Sequence, residues 1–112
     1  MVFFDAIDGR GKEHTSGYVL QNGKVVGDTC SKMKVRPIGS PYPAKLSHPT
    51  ATGHTINMTL KDGTEITAVV EKTRTQVGVP FYSRWTGNIK AKVGGKQQNG
   101  VALWEEFRNR IT

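Results

Sequence analysis

The longest alternating segment of this sequence is Tyr82-Ser83-Arg84-Trp85-Thr86-Gly87-Asn88-Ile89-Lys90-Ala91-Lys92-Val93. One side of it is mostly apolar, and the members of that side are Ser83, Trp85, Gly87, Ile89, Ala91 and Val93. The other side is polar or charged. Because successive side chains of a strand point to opposite faces, a period of two predicts a long β-strand. The Gly94-Gly95 pair that follows indicates a turn.

Shorter alternating segments lie between turn signals along the rest of the chain. Residues 16–20 and 24–27 flank Asn22-Gly23, a pair that favours a type I′ hairpin turn. Asp62-Gly63 predicts a second tight turn. The other predicted strands are residues 32–37, 54–61, 65–74 and 101–108. The last of these also contains good helix formers, but a meander needs a closing strand there. The pattern predicts an all-β fold, a small antiparallel up-and-down barrel or half-barrel of about six to eight strands.

A chain of 112 residues is expected to form one domain, residues 1–112. Residues 39–53 contain Pro41, Pro43 and Pro49, none of which can donate to a strand ladder. This segment is predicted to be a long irregular connection or lid, where flexibility concentrates.

The charge balance raises nucleic acid as a partner and then argues against it. The chain has 16 Lys plus Arg against 9 Asp plus Glu, a net charge of +7. The two halves share this excess, and the densest cluster is Lys32, Lys34 and Arg36 at alternate positions. Such a run is typical of the solvated face of a strand.

Location follows from what the sequence does not contain. No apolar stretch approaches the about 20 residues of a membrane span. The first ten residues include Asp5 and Asp8 and lack the layout of a signal peptide. A single cysteine, Cys30, excludes an intramolecular disulfide and is predicted to pack as a small hydrophobe. We therefore expect a cytoplasmic protein that does not enter membranes.

Most catalytic templates are absent. There is no phosphate-binding glycine loop, no nucleophile elbow and no metal-ligand spacing. His14, His48 and His54 lie in loops or at a strand start and are expected to be solvated. Glu105 and Glu106 point to opposite faces of a strand and cannot act as an acid/base pair. The sequence predicts neither a metal nor a cofactor.

Two segments in the last third of the sequence resemble those of a known protein family. They are Tyr82-Ser83-Arg84-Trp85-Thr86-Gly87 and Gly100-Val101-Ala102-Leu103-Trp104-Glu105-Glu106-Phe107. They resemble the closing strands of the fungal Diels-Alderase family, lipocalin-like cyclases of polyketide and terpenoid biosynthesis that are related in fold to carotenoid 1,2-hydratases. Phe4-Asp5, Ser16-Gly17-Tyr18-Val19 and Val35-Arg36-Pro37 agree, so the resemblance spans nearly the whole chain.

Members of that family generally have two lipocalin-like barrels, and this chain matches only the C-terminal one. The resemblance implies that identical chains pair, or that a separate partner barrel completes the pocket. It also implies a cofactor-independent cyclase that folds an apolar polyene for a [4+2] or hetero-Diels-Alder step. An apolar cavity supplies such catalysis by preorganisation, and hydrogen-bond donors add selectivity. The alternative is a non-catalytic carrier of a hydrophobic ligand, or an assembly module that completes a partner barrel.

Candidate site residues have two interpretations each. Trp85 and Trp104 form a pocket wall or fill the core. Tyr82 and Tyr18 present hydroxyls at a cavity mouth or only pack. Arg84 holds a substrate oxyanion or pairs across the sheet with Glu105 or Glu106. Tyr42 belongs to a lid or is a surface aromatic. Phe81 and Met58, with Ile56 and Leu103, line the cavity or the core. We assign catalytic roles to Arg84, Trp85 and Tyr82, and substrate-binding roles to Tyr18, Trp104, Glu105, Phe81, Met58 and Tyr42.

Overall fold

The computed structural model describes residues 1–30 and 32–108, and this part of the chain contains eight antiparallel strands and no helix. The strands are β1 (Val2–Ile7), β2 (Glu13–Gln21), β3 (Lys24–Cys30), β4 (Met33–Ile38), β5 (Gly53–Thr59), β6 (Glu65–Val79), β7 (Tyr82–Val93) and β8 (Lys96–Phe107). They form a three-stranded sheet, β1-β2-β3, and a five-stranded sheet, β4-β5-β6-β7-β8. Each hydrogen-bonded neighbour is the next strand in the chain, so the predicted all-β meander is confirmed.

Three strands differ most from the prediction. Gly94 and Gly95 have φ values of 56° and 86° and form a two-residue turn, so β8 begins at Lys96 and its polar start pairs with β7. Strand β6 continues to Val79. Strand β1 is missing from the prediction because Asp5 lies on its inner side, between Phe3 and Ile7, where the pattern requires an apolar residue.

The smaller sheet packs across the larger one at two glycines. A Cβ on Gly17 would lie 3.0 Å from Sδ of Met58, and a Cβ on Gly27 would lie 2.6 Å from Cδ1 of Leu60. The lack of a side chain lets β2 and β3 approach the core. In the described residues no hydrogen-bonded ladder joins β8 to β1, so the arrangement is open along that side. A closed lipocalin-like barrel stays a prediction.

The core lies on the inner face of the five-stranded sheet. Its buried members are Met33, Val35, Ile56, Met58, Leu60, Ile66, Ala68, Val70, Trp85 and Ala91. The inner face predicted for β7 is confirmed. Strand β6 has register shifts at Lys72/Arg74 and at Thr75/Val77. Such bulges bend and twist a strand, and they curl the sheet around its core.

Residues 39–52, most of the segment predicted to be an irregular connection or lid, contain no strand. Cys30 is exposed, and its prediction as a packed hydrophobe is wrong. The reason is alternation, because Thr29 is the residue at the end of β3 that points inward and is buried. The described residues form no helix long and apolar enough to span a bilayer.

Candidate functional site

Four rings meet inside the curled sheet, and we call them the aromatic cradle: Phe3, His54, Trp85 and Trp104. The rings of His54 and Trp104 are stacked with centroids 4.1 Å apart. Trp85 and Trp104 are stacked at 5.3 Å with an interplanar angle of 10°. Phe3 closes the side towards β1, 5.2 Å from Trp104. Three of the four rings are therefore packed together in nearly parallel planes, and Phe3 is tilted against Trp104 by 58°.

The prediction that His54 is solvated is wrong. His54 is only 6% exposed, and its Nδ1 has no hydrogen-bond partner among the described residues. Burial lowers the pKa of His54 to about 4, so the imidazole is neutral near pH 7. A neutral ring packs against indole as an aromatic surface.

Beside the cradle lies a second group, the carboxyl pair Asp5 and Glu13, on the inner sides of β1 and β2. Arg36 of β4 donates from Nη1 to Oε1 of Glu13 at 2.8 Å and from Nη2 to Oε2 at 3.0 Å. The same Nη1 is 3.8 Å from Oδ2 of Asp5. The ring of Tyr42 covers the guanidinium, with Cζ of Arg36 3.8 Å from the ring centroid. The Arg36 guanidinium thus lies near both carboxyl groups, and its shorter contacts are with Glu13.

Because Arg36 lies closer to Glu13 than to Asp5, the two carboxyl groups have different pKa values. The hydrogen bonds from Arg36 lower the pKa of Glu13 to about 2. Burial, followed by the hydrogen bond to Glu13 and its negative charge, raises the pKa of Asp5 to about 7. The side chain of Asp5 is 14% exposed. Two carboxyl groups that share one proton titrate as a pair, and this pair keeps its proton on Asp5 up to neutral pH.

The carboxyl pair and the cradle are neighbours in the fold. Phe3 and Asp5 are alternate residues of β1 on the same inner side, which places them about 7 Å apart along the strand. On β4, Arg36 precedes Pro37, which is directly opposite His54 of β5. Asp5 thus lies one inward position beyond Phe3 along β1.

Further polar groups lie beyond the tryptophans along β7 and β8. Ser83 of β7 is directly opposite Glu106 of β8, and both lie on the inner face. Buried atoms without a partner in the described part of the chain include Oγ of Ser83, Oε2 of Glu106 and Nε1 of Trp85. Burial raises the pKa of Glu106, against the attraction of Arg108 and Lys72. The interior therefore combines aromatic rings with buried polar groups.

The structure brings four of the predicted site residues to the interior or its rim. Trp85 is fully buried and Trp104 partly buried, both in the cradle. Met58 is a core residue at 2% exposure. Tyr42 reaches the carboxyl pair through Arg36, and burial raises its pKa to about 12. The phenol is consequently neutral at physiological pH.

The other five predicted residues lie away from the cradle. Tyr82, Arg84 and Glu105 share the outer face, where the Tyr82 hydroxyl donates to Oε2 of Glu105 at 2.8 Å and Arg84 is opposite Glu105 in register. Phe81 is 63% exposed in the turn before β7. Tyr18 is 38% exposed, on the outer side of β2. Alternation explains this, because neighbours of the inward Ser83 and Trp85 must point outward.

Sequence reasoning missed Asp5, Glu13, Arg36 and His54. Arg36 had been placed with Lys32 and Lys34 on a solvated face, but it is half-buried in an ion pair, and that part of the interpretation is wrong. Arg36 and Glu13 are 23 positions apart, so no local pattern indicates their contact. The one available signal was Asp5, an acidic residue at an inner position of an otherwise apolar alternation.

Other surfaces offer less. Two shallow grooves on the outer face of the larger sheet are open to solvent and lined by polar residues such as Asn57, Thr67 and Lys92. Within residues 1–30 and 32–108, no group of three or more His, Cys, Asp or Glu side chains is placed to hold a metal ion. The cradle with the buried polar groups beside it is the candidate site.

Comparison with known proteins gives one informative similarity. The chain is 29% identical over 113 residues to the quinolone epoxide rearrangement protein penF of Penicillium thymicola. The match covers 96% of this chain and 31% of that protein, so the chain spans less than a third of its relative's length. No protein-family profile matches the chain. No solved structure matches it either.

Proposed function

We propose that this protein is an isomerase of small-molecule biosynthesis that binds a planar unsaturated metabolite in the aromatic cradle and protonates it from Asp5. The observation that carries the proposal is a buried carboxyl group that keeps its proton up to about pH 7, next to stacked aromatic rings. A general acid works best when its pKa is near the working pH. The similarity to a quinolone epoxide rearrangement protein supports an epoxide as the acid-sensitive group.

The chemistry requires no second reactant. The Asp5 O–H proton moves to the epoxide oxygen as one C–O bond breaks, and the bonding electrons stay on oxygen. Positive charge then develops on carbon, where the partly exposed ring of Trp104 can stabilise it. A neighbouring group migrates or a ring closes, and the resulting cation returns one proton to the Asp5 carboxylate. The product is an isomer of the substrate, and the enzyme is regenerated.

The test is incubation with aryl- and vinyl-substituted epoxides of bicyclic lactams, with isomeric products measured against buffer. We expect faster isomerisation, a biased product ratio, and loss of at least about 100-fold in rate for Asp5→Asn, within the range that general acids contribute. Asp28→Asn is the matched control, since Asp28 forms an exposed ion pair with Lys61. Equal rates in buffer and protein across this set would refute the proposal.

The stacked rings favour a second candidate, the Diels-Alder cyclisation suggested by the resemblance. The rings contact one another, with centroids 4.1 and 5.3 Å apart, so a tethered diene and dienophile would lie together against the partly exposed Trp104 and not between the rings. No proton donor is needed. With a tethered polyene, this candidate predicts that Trp104→Ala changes the isomer ratio while Asp5→Asn does not. Saturable binding of both substrate types without any product would instead indicate a carrier.

We also propose that a second copy of the chain completes the site. Strand β8 is a sheet edge whose outer side exposes Val101, Leu103 and Phe107 at 87%, 55% and 72%. It begins at Lys96 and ends in an acidic stretch, so antiparallel pairing with another β8 brings opposite charges together. Such pairing would extend the outer face that carries Tyr82, Arg84 and Glu105 across the two copies. Light scattering should give a dimer that Val101→Lys converts to monomer; a wild-type monomer would contradict this.

A further inference from the structure

The outer face of the five-stranded sheet carries a row of five side chains that we call the lysine row: Lys34, Asn57, Thr67, Lys92 and Gln97. Each is directly opposite the next across strands β4, β5, β6, β7 and β8. All five are exposed, and they lie on the side of the sheet away from the aromatic cradle. No local pattern indicates this row, because its members come from five different strands.

A neighbouring row on the same face adds a third lysine. Thr55, Val69 and Lys90 are opposite one another, two positions along their strands from members of the lysine row. Because alternate residues of a strand point to the same face, Lys90 and Lys92 lie about 7 Å apart along β7. Lys34 is three strands away, with its Cα about 14 Å from that of Lys92. The positive charge is therefore divided between two sides of the face, one on β4 and one on β7.

These three lysines have no countercharge within the described residues. The cations of the ion pairs in residues 1–30 and 32–108 are His14, Arg36 and Lys61. Glu65 and Glu71 are the next outward residues of β6 on either side of the two rows, and neither forms an ion pair in this part of the chain. Lysines of one sign on one face produce a positive potential, so the area between the two glutamates attracts anions.

One of the two shallow grooves lies over these rows. Its volume is about 420 Å³, and its lining includes Thr55, Asn57 and Thr67 beside Lys90 and Lys92. That volume is near the lower end of the range for small-molecule sites. Among the described residues that line this groove, none is acidic and none is aromatic. The bases of a single-stranded nucleic acid would therefore have no ring to stack on, and the groove suits a small polar anion.

The division of the charge selects the kind of anion. A single phosphate group beside Lys90 and Lys92 leaves Lys34 without a countercharge on the other side of the groove. A second anionic group linked to the first can meet Lys34, since the ammonium group of lysine is carried on a flexible stem. The Asn57 amide and the Thr67 hydroxyl can donate hydrogen bonds to oxygens between them. We infer that this groove binds a small molecule with two linked oxyanion groups, such as a diphosphate, between Lys34 and Lys92.

The experiment titrates the protein with inorganic diphosphate and with inorganic phosphate at low ionic strength, where exposed charges are least screened. Calorimetry should show that diphosphate binds about fivefold more tightly, the effect of one further exposed ion pair. Lys34→Gln combined with Lys92→Gln should weaken diphosphate binding about tenfold. The matched control combines Lys12→Gln with Lys24→Gln, two exposed lysines in the part of the chain that forms the smaller sheet. It should weaken binding by less than about twofold.

The two double variants carry the same net charge, so attraction by the overall charge of the protein predicts equal losses in both. Equal losses, absence of diphosphate binding, or equal binding of the two anions would overturn the inference. A thymidine oligonucleotide should not displace diphosphate, and displacement at equal phosphate concentration would show that the face binds nucleic acid instead. Unchanged thermal unfolding confirms that the variants fold. Because the lysine row and the cradle lie on opposite faces of the sheet, this result is independent of the proposed isomerisation.

Discussion

The imidazole of His54 and the indole of Trp104 are stacked 4.1 Å apart, although strands β5 and β8 are separated by two other strands. Only a strongly curled sheet can bring these rings together. The bulges of β6 supply part of that curl. The stack is therefore a sensitive reporter of the tertiary structure.

Replacing His54 with Phe should keep the stack and remove a titrating group. The pKa of His54 is lowered to about 4 in the folded protein, against about 6.5 unfolded. As the pH falls from 6.5 to 4, the unfolded chain takes up a proton that the folded protein refuses, so stability is lost. Over that window the wild type should lose up to roughly 3 kcal/mol relative to His54→Phe.

Urea unfolding at pH 7.5, 6, 5 and 4 measures this difference. Only the change relative to the variant is informative, because Asp5 and Glu13 titrate in both proteins. Parallel stability curves for wild type and His54→Phe would show that the imidazole is not buried.

The two tryptophans should differ in what they contribute. Trp85 is 0% exposed, so Trp85→Ala leaves a large cavity and should cost about 3–5 kcal/mol. Trp104 is partly exposed at the sheet edge, and Trp104→Ala should cost about 2 kcal/mol or less while removing most aromatic-ligand binding. Denaturant unfolding gives both free energies. A larger loss for Trp104 than for Trp85 would contradict the assignment of the core.

Gly87 in the Trp85-Thr86-Gly87 phrase is predicted to be irreplaceable for a steric reason. A Cβ there would clash with the backbone carbonyl of Glu71 and come within 3.0 Å of the Trp85 ring. Gly87→Ala should therefore destabilise the fold by more than about 2 kcal/mol.

The matched control is Gly100→Ala, in the neighbouring strand of the same sheet. A Cβ on Gly100 would meet only Cγ2 of Ile89, at 3.5 Å, an ordinary contact. Its effect on the free energy of unfolding should stay within about 0.5 kcal/mol. Equal effects at the two positions would mean that β6 and β7 approach less closely than described.

Glu13→Gln should lower the pKa of Asp5 while leaving Asp5 in place as the proton donor. Asp5 is surrounded by Glu13 from β2, Arg36 from β4 and Tyr42 from the irregular connection. With the charge of Glu13 gone and Arg36 released towards Asp5, the pKa of Asp5 should fall below about 7. Wild-type isomerisation should decline above pH 7, and the decline in Glu13→Gln should begin at lower pH.

Carboxyl carbon NMR of Asp5 in both proteins checks the same shift without a substrate. An Asp5 signal that titrates near pH 4 in the wild type would rule out its role as an acid at neutral pH.

The alternation of Tyr82 to Val93, the Asn22-Gly23 turn and the Gly94-Gly95 turn were enough to predict an antiparallel meander and the inward position of Trp85. These features are local, since a period of two and a positive φ depend on residues close in the chain. The same alternation places Tyr82 and Arg84 outward. Their selection as catalytic residues followed from the phrase they share with Trp85.

The amino-acid sequence by itself determined the all-β class, the Asn22-Gly23 and Gly94-Gly95 turns, and which side of Tyr82 to Val93 faces inward. Only the tertiary structure brings the carboxyl groups of Asp5 and Glu13 together around the Arg36 guanidinium. It also places His54 within the aromatic cradle. The physical reason is range. Backbone preference acts over a few residues, whereas burial and charge pairing depend on side chains that meet only when the sheet curls and the smaller sheet packs across it.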